Sequence, residues 1–140
     1  NPEGYKTYGE FEYKDPREHF DGEIYLNGRW LAFPEFLQYK GASESDYLAL
    51  KYHALELNAV MKPQKEKTKA EVLQDEKPLT EENKGEDVVI QRGRSYVKLE
   101  SSKMYSLVKN PEFGHHEIKI IPESSSFSIY VFTFTSCIME

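Results

Sequence analysis

The stretch Ser126-Phe127-Ser128-Ile129-Tyr130-Val131-Phe132-Thr133-Phe134-Thr135 constrains this chain more than any other. It strings β-branched and aromatic residues together without Pro or Gly, which suits a pleated sheet better than a helix. Period two puts Phe127, Ile129, Val131, Thr133 and Thr135 on one face and Tyr130, Phe132 and Phe134 on the other. Neither face is made for bulk water. A strand of this kind is expected in the middle of a sheet, or with a second layer or partner against its outer face. At an edge it would be a template for further pairing.

The rest of the chain supplies short segments that could surround such a strand. Tyr5, Tyr8, Phe11 and Tyr13 form a spaced aromatic series, and Gly4, Gly9 and Pro16 leave no room for a helix, so an extended arm or short strand is expected there. Asn27-Gly28 reads as a type I′ turn between apolar residues, and Phe33 to Tyr39 is ambiguous between a helical turn and a strand. In Tyr47 to Met61, Leu48, Leu50, Tyr52 and Ala54 share one parity and Leu55, Leu57, Ala59 and Met61 the other. A helix is allowed by propensity, but two strands separated by a bulge or bend near Leu55-Glu56 fit the all-β context better. Strands are also expected at Ala70–Gln74, Val88–Gln91, Tyr96–Leu99, Met104–Val108 and His115–Ile121. Thr80 to Asp87 reads as a solvated acidic loop, and Asn110 to Gly114 as a loop too.

Short strands with turn signals between them predict an all-β fold, an antiparallel β-sandwich of jelly-roll-like (galactose-binding-like) form; βαβ units would need longer helical patterns between strands. A length of 140 residues is that of one domain. Residues 1–20 are expected to be an N-terminal arm or linker packed on the domain, and 21–140 the single β-sandwich domain.

Several functions are disfavoured. A formal net charge of −6 argues against a nucleic-acid partner, since affinity for phosphate backbones comes from basic side chains. No run of eighteen or so apolar residues suggests membrane insertion, and no secretory leader precedes Tyr5. Cys137 is the sole cysteine, read as a small buried hydrophobe, with no second thiol for a dithiol cycle. Glycine-rich phosphate cradles and nucleophile-elbow sequences are missing. No spacing of carboxylates marks a glycosidase pair. His115 and His116 invite a metal reading, but neighbours on a strand point to opposite faces, and His19 and His53 would join them only through tertiary structure. No cofactor, metal or catalytic residue is expected.

The order of Gly28-Arg29-Trp30, Leu50-Lys51-Tyr52-His53-Ala54, Val72 to Leu79, Gly85-Glu86-Asp87-Val88, Met104-Tyr105-Ser106-Leu107-Val108, His116 to Ile120 and Ile129 to Thr135 resembles a known family. It is similar to the C-terminal domain that follows the thioredoxin-like domain in DipZ-type cytochrome c biogenesis and thiol:disulfide interchange proteins. The likeness covers Glu3 to Ile138. It implies a fold like that of a carbohydrate-binding module, an extracytoplasmic (periplasmic) setting, and redox cysteines that sit in the preceding domain. Where the family closes its last strand with glycine after Phe-Thr-Phe, Thr135-Ser136-Cys137 continues here.

Sugar recognition needs an aromatic plate flanked by groups that reach hydroxyls. Trp30, Tyr39, Tyr47, Tyr52 and Tyr105 are candidate plates, with Arg29, Asp46, Glu56, Asn58 and Asp87 as polar partners. Trp30 leads, because Arg29 and the expected Asn27-Gly28 turn place it near an element end; packing in an all-β core is the competing use of every one of these rings. Two functions follow. One is a non-catalytic accessory binding module for glycans, neutral ones preferred given the negative charge. The alternative is a protein-interaction or structural module that packs on the thioredoxin-like domain or binds its substrate proteins.

Overall fold

The computed structural model describes residues 9–136, and among them it holds strands and no helix. The elements are β1 (Gly9–Tyr13), β2 (Ile24–Ala32), β3 (Leu37–Tyr39), β4 (Tyr47–Pro63), β5 (Thr68–Gln74), β6 (Lys77–Pro78), β7 (Val88–Gln91), β8 (Arg94–Leu99), β9 (Lys103–Pro122) and β10 (Phe127–Thr135). Every strand pairing is antiparallel, in the order β1-β2-β3-β10-β4-β9-β5-β8-β7, with β6 on β5 and an added β2–β4 pairing. No helix among the described residues is long and apolar enough to cross a membrane. Tyr5, Tyr8 and Cys137 lie outside the described residues.

The two long strands carry the architecture. β4 has the expected parity break: Leu48, Leu50, Tyr52 and Ala54 are buried, and after a register shift at Leu55 so are Leu57, Ala59 and Met61. It is one bulged strand rather than two, because β9 runs beside it throughout. β9 in turn absorbs the expected loop at Asn110 to Gly114. Its pairing to β4 stops at Glu56↔Lys109 and resumes at Ala54↔Gly114, so Asn110 to Phe113 bow away opposite Leu55 alone.

β10 lies between β3 and β4 as expected for an interior strand, but only Ser128 and Ile129 have partners on both sides; Val131 to Thr135 pair with β4 alone. A bulge at Tyr130 also changes the faces. Directly opposed residues share a side of the sheet, so Phe127 and Ile129 are joined on the same side by the partly buried Phe132 and by Phe134, which remains about half exposed, opposite Ala59 and Leu57. Val131 is turned out and half exposed. The two-sided hydrophobicity of this strand is thus largely a parity switch in mid-strand.

Asn27-Gly28 is not a turn. β2 continues through it, changing partner there from β4 (Ile24 to Asn27) to β1 (Gly28 to Ala32), while β3 joins at Trp30. Gly28 has φ 104°, and a side chain there would strike the buried Asp46 carboxylate. Glycine here lets the strand kink, not reverse. The N-terminal arm provides β1, whose Tyr13 is buried in the core.

Candidate functional site

A groove of about 700 Å³ lies over β5, β8 and the end of β9. Its floor follows from alternation. On β8, Ser95, Val97 and Leu99 are buried, so Arg94, Tyr96 and Lys98 face out. Glu71 stands opposite Tyr96 on one side and Ile121 on the other, giving a row of Ile121, Glu71 and Tyr96 across three strands. The walls are Gly41 to Glu44 and Pro122 to Ser125.

Both walls are tied down. The Tyr39 hydroxyl donates to Asp46 at 2.6 Å and accepts from the Ser43 amide at 3.1 Å. Burial, and then the bond to Asp46, push the Tyr39 phenol up to about 12, so it remains a donor at neutral pH. The opposite wall is held by Thr68 Oγ1 to Ser124 Oγ at 2.7 Å and by Ser126, whose hydroxyl donates to the Glu66 carbonyl and accepts from the Lys65 amide at 3.1 Å.

The groove's polar groups are paired, with Arg94 exposed and Glu71 largely buried. Arg94 makes a two-pronged contact with Glu71, at 2.9 and 2.8 Å, which fixes both planes beside the Tyr96 ring. Lys69 Nζ stands 4.5 Å from the centre of that ring and 4.0 Å from Glu123. A partly exposed aromatic ring is therefore framed by carboxylates, a guanidinium, an ammonium and serine hydroxyls. Such a surface can stack on the apolar face of a ring and hydrogen-bond to hydroxyls at its rim.

Of the residues singled out by sequence, only Tyr39 lines this groove. Trp30 is 0% exposed; its indole nitrogen donates to the Asn27 carbonyl at 3.1 Å, and its ring meets Tyr39 and Phe127 edge-on. It is a core residue and offers no face to a ligand. Tyr39, Tyr52 and Tyr105 are buried as well, so none is a stacking plate. Tyr105 holds the β8–β9 turn, donating to the Ser101 carbonyl at 2.7 Å.

Tyr47 is half buried, bonds to Asp15 and lies under Lys119. Arg29 is exposed beside Glu10 at 3.3 Å. Asp87 accepts from Lys103 and from the Ser106 amide; burial works to raise its carboxyl, and these bonds outweigh it and hold it below the usual range. Asp46 is spent on Tyr39. Glu56 and Asn58 pair across to Thr135 and Thr133, away from the groove. Sequence reasoning missed Tyr96, although the signal was present: it is the aromatic at an outward position between Arg94 and Lys98.

The model of the thioredoxin-like C-terminal domain family matches residues 1–135. The chain belongs to that family. A search of curated proteins gave no match. Among solved structures, a family two carbohydrate esterase from Cellvibrio japonicus resembles this thioredoxin-like C-terminal domain with a TM-score of 0.62 and 18% identity. The match covers 92% of this chain and 33% of the esterase chain, so the domain corresponds to about a third of that protein. At that identity the likeness is one of fold.

Proposed function

We propose that this domain is a non-catalytic accessory module, jelly-roll-like in form, that binds a neutral glycan in the groove over Tyr96 and serves an extracytoplasmic thioredoxin-like protein of the DipZ type. The observation that carries this reading is the partly exposed Tyr96 ring set between the fixed Arg94–Glu71 pair and Lys69. The groove's charges nearly cancel, with Lys69 and Arg94 against Glu44, Glu71 and Glu123. That balance suits a ligand without formal charge. Lys69 covers part of the ring, and swinging it aside costs about 0.5–1 kcal/mol at an exposed site. The ammonium then becomes a donor to a sugar hydroxyl. The fold likeness to a protein named as a carbohydrate esterase is compatible with this choice.

Calorimetric titration with neutral oligosaccharides, and with an acidic one as a control, tests the proposal. Saturable binding of a neutral chain that Tyr96→Ala abolishes while the thermal midpoint holds is the expected result. Absence of binding across the panel, or binding indifferent to Tyr96→Ala, refutes it. Tryptophan fluorescence would be a poor reporter, because Trp30 is sealed in the core.

One observation favours the second reading, a module that packs on its thioredoxin-like neighbour. Phe36 stacks on Tyr130 at 5.1 Å and touches Phe33 at 5.0 Å, beside the half-exposed Val131. This apolar patch follows directly on Ala32, the partner of Gly9, and so lies beside the start of β1. On this reading Phe36→Ser, and not Tyr96→Ala, weakens docking of a thioredoxin-like domain joined ahead of β1.

A further inference from the structure

His115 and His116 diverge, as neighbours on a strand must. His116 turns to Asp75, with Nδ1 2.7 Å from Oδ2. His115 turns to the other side of β9, where β4 brings up a second imidazole. His53 is its direct antiparallel partner. The two rings stack with centroids 3.7 Å apart and planes 22° from parallel. Both residues are exposed, and Phe113 backs His53 at 4.1 Å between ring centres.

A carboxylate stands behind the pair. Asp21 Oδ2 is 3.5 Å from His115 Nδ1, and the Asp21 segment is pinned to β4 by its bridge to Lys51 and by the Gly22 amide bonding to the Lys51 carbonyl at 2.8 Å. The 3.5 Å separation is ion-pair range and not a hydrogen bond; with Asp21 on the Nδ1 side, Nε2 of His115 is the nitrogen open to a ligand.

We propose that His53 and His115 form a two-imidazole chelate for an exchangeable divalent ion of the late first transition row, Cu²⁺ preferred over Ni²⁺ and Zn²⁺. Imidazole suits these ions, and their order of affinity follows the general series for nitrogen ligands. Binding requires the rings to rotate out of their stack, so that one in-plane nitrogen lone pair from each converges on one ion at about 2.0–2.1 Å. Among the described residues no three His, Cys, Asp or Glu side chains gather into a cage. Water therefore completes the coordination, and the ion exchanges instead of serving as a structural centre. The site faces the same side of β9 as Ile121 but lies about 20 Å along the strand from it, too far to share one sugar ring with the groove.

The test is a titration of the chelator-treated protein with Zn²⁺ alone, following the histidine ring resonances by NMR, and with Ni²⁺ and Cu²⁺ alone by calorimetry. One ion per chain should bind, shifting the His53 and His115 resonances and leaving those of His19 and His116 in place. His53→Asn or His115→Asn should lower the affinity about a hundredfold, because a single imidazole forfeits the effective concentration of the second. His116→Asn should leave it unchanged. All three positions are at least partly exposed, and an unchanged thermal midpoint confirms that each variant folds. No saturable binding of any of the three ions, shifts confined to His19 or His116, or affinity that survives both His53→Asn and His115→Asn would overturn the proposal.

Discussion

Beneath the bow in β9 sits a closed ring of three hydrogen bonds. Tyr52 donates to Gln74 Oε1, Gln74 Nε2 donates to Asn110 Oδ1 at 2.7 Å, and Asn110 Nδ2 donates to the Tyr52 hydroxyl at 3.1 Å. All three residues are buried. Burial, the largest influence, pushes the Tyr52 phenol up to about 12, so the ring keeps its donor at neutral pH. Tyr52→Phe removes one atom and strands two, Gln74 Oε1 and Asn110 Nδ2. At about 1–2 kcal/mol for each orphaned buried group, the variant should lose about 2–4 kcal/mol. Asn110→Ala strands only Gln74 Nε2 and should cost about 1–2 kcal/mol. The double variant has fewer orphans than the two singles together, so the costs should fall short of additive by about 1–2 kcal/mol. Urea unfolding at pH 7 with unchanged m-values measures all of this. Strict additivity, or a loss under about 0.5 kcal/mol for Tyr52→Phe, would refute the closed ring as the anchor of the bow.

Three further outcomes can be checked. Gly28→Ala places a Cβ 2.2 Å from the Asp46 Cγ at a φ that side chains resist, and thermal unfolding should show a loss of at least about 2 kcal/mol. Arg94→Ala breaks an exposed ion pair and should cost no more than about 1 kcal/mol in unfolding while weakening any glycan bound in the groove, a split that calorimetry with and without ligand would reveal. Burial works to raise the Asp15 carboxyl, but bonds from Tyr47, His19 and the Arg17 amide hold it below its ordinary value. A depressed folded-state value gives stability that is present above the unfolded pKa of about 3.9 and is lost as pH falls through the folded one. Asp15→Asn should therefore lower the melting temperature at pH 7 and flatten its fall in acid.

Much of the fold could be read from alternation alone. The bulge in β4 was legible because the parity of buried residues switches between Ala54 and Leu55. The same logic failed in β10, where Tyr130 is as apolar as its neighbours, so the switch left no mark in the pattern. Asn27-Gly28 misled for a different reason: glycine at positive φ serves a kink as well as a turn, and the choice is made by Asp46, far along the chain, packing against the bare Cα. Trp30 misled because size and a nearby charge say nothing about which way a side chain points. Its parity with Leu26 and Ala32 would have placed it inside.

The site residues share a property that a single strand cannot display. Tyr96 gains meaning only beside Glu71 on β5, and His53 only beside His115 on β9. Both are facts of register, and in β4–β9 the register depends on an imbalance, since β9 spends Asn110 to Phe113 against Leu55 alone. Were those residues paired in step with β4, His53 would face a different residue and the imidazoles would separate. The buried Tyr52–Gln74–Asn110 ring fixes the imbalance by tying Asn110 to β4 and β5 at once. The prediction for Tyr52→Phe thus reaches beyond stability. If the ring sets the register, loosening it should weaken Zn²⁺ binding at His53 and His115 without touching either ligand.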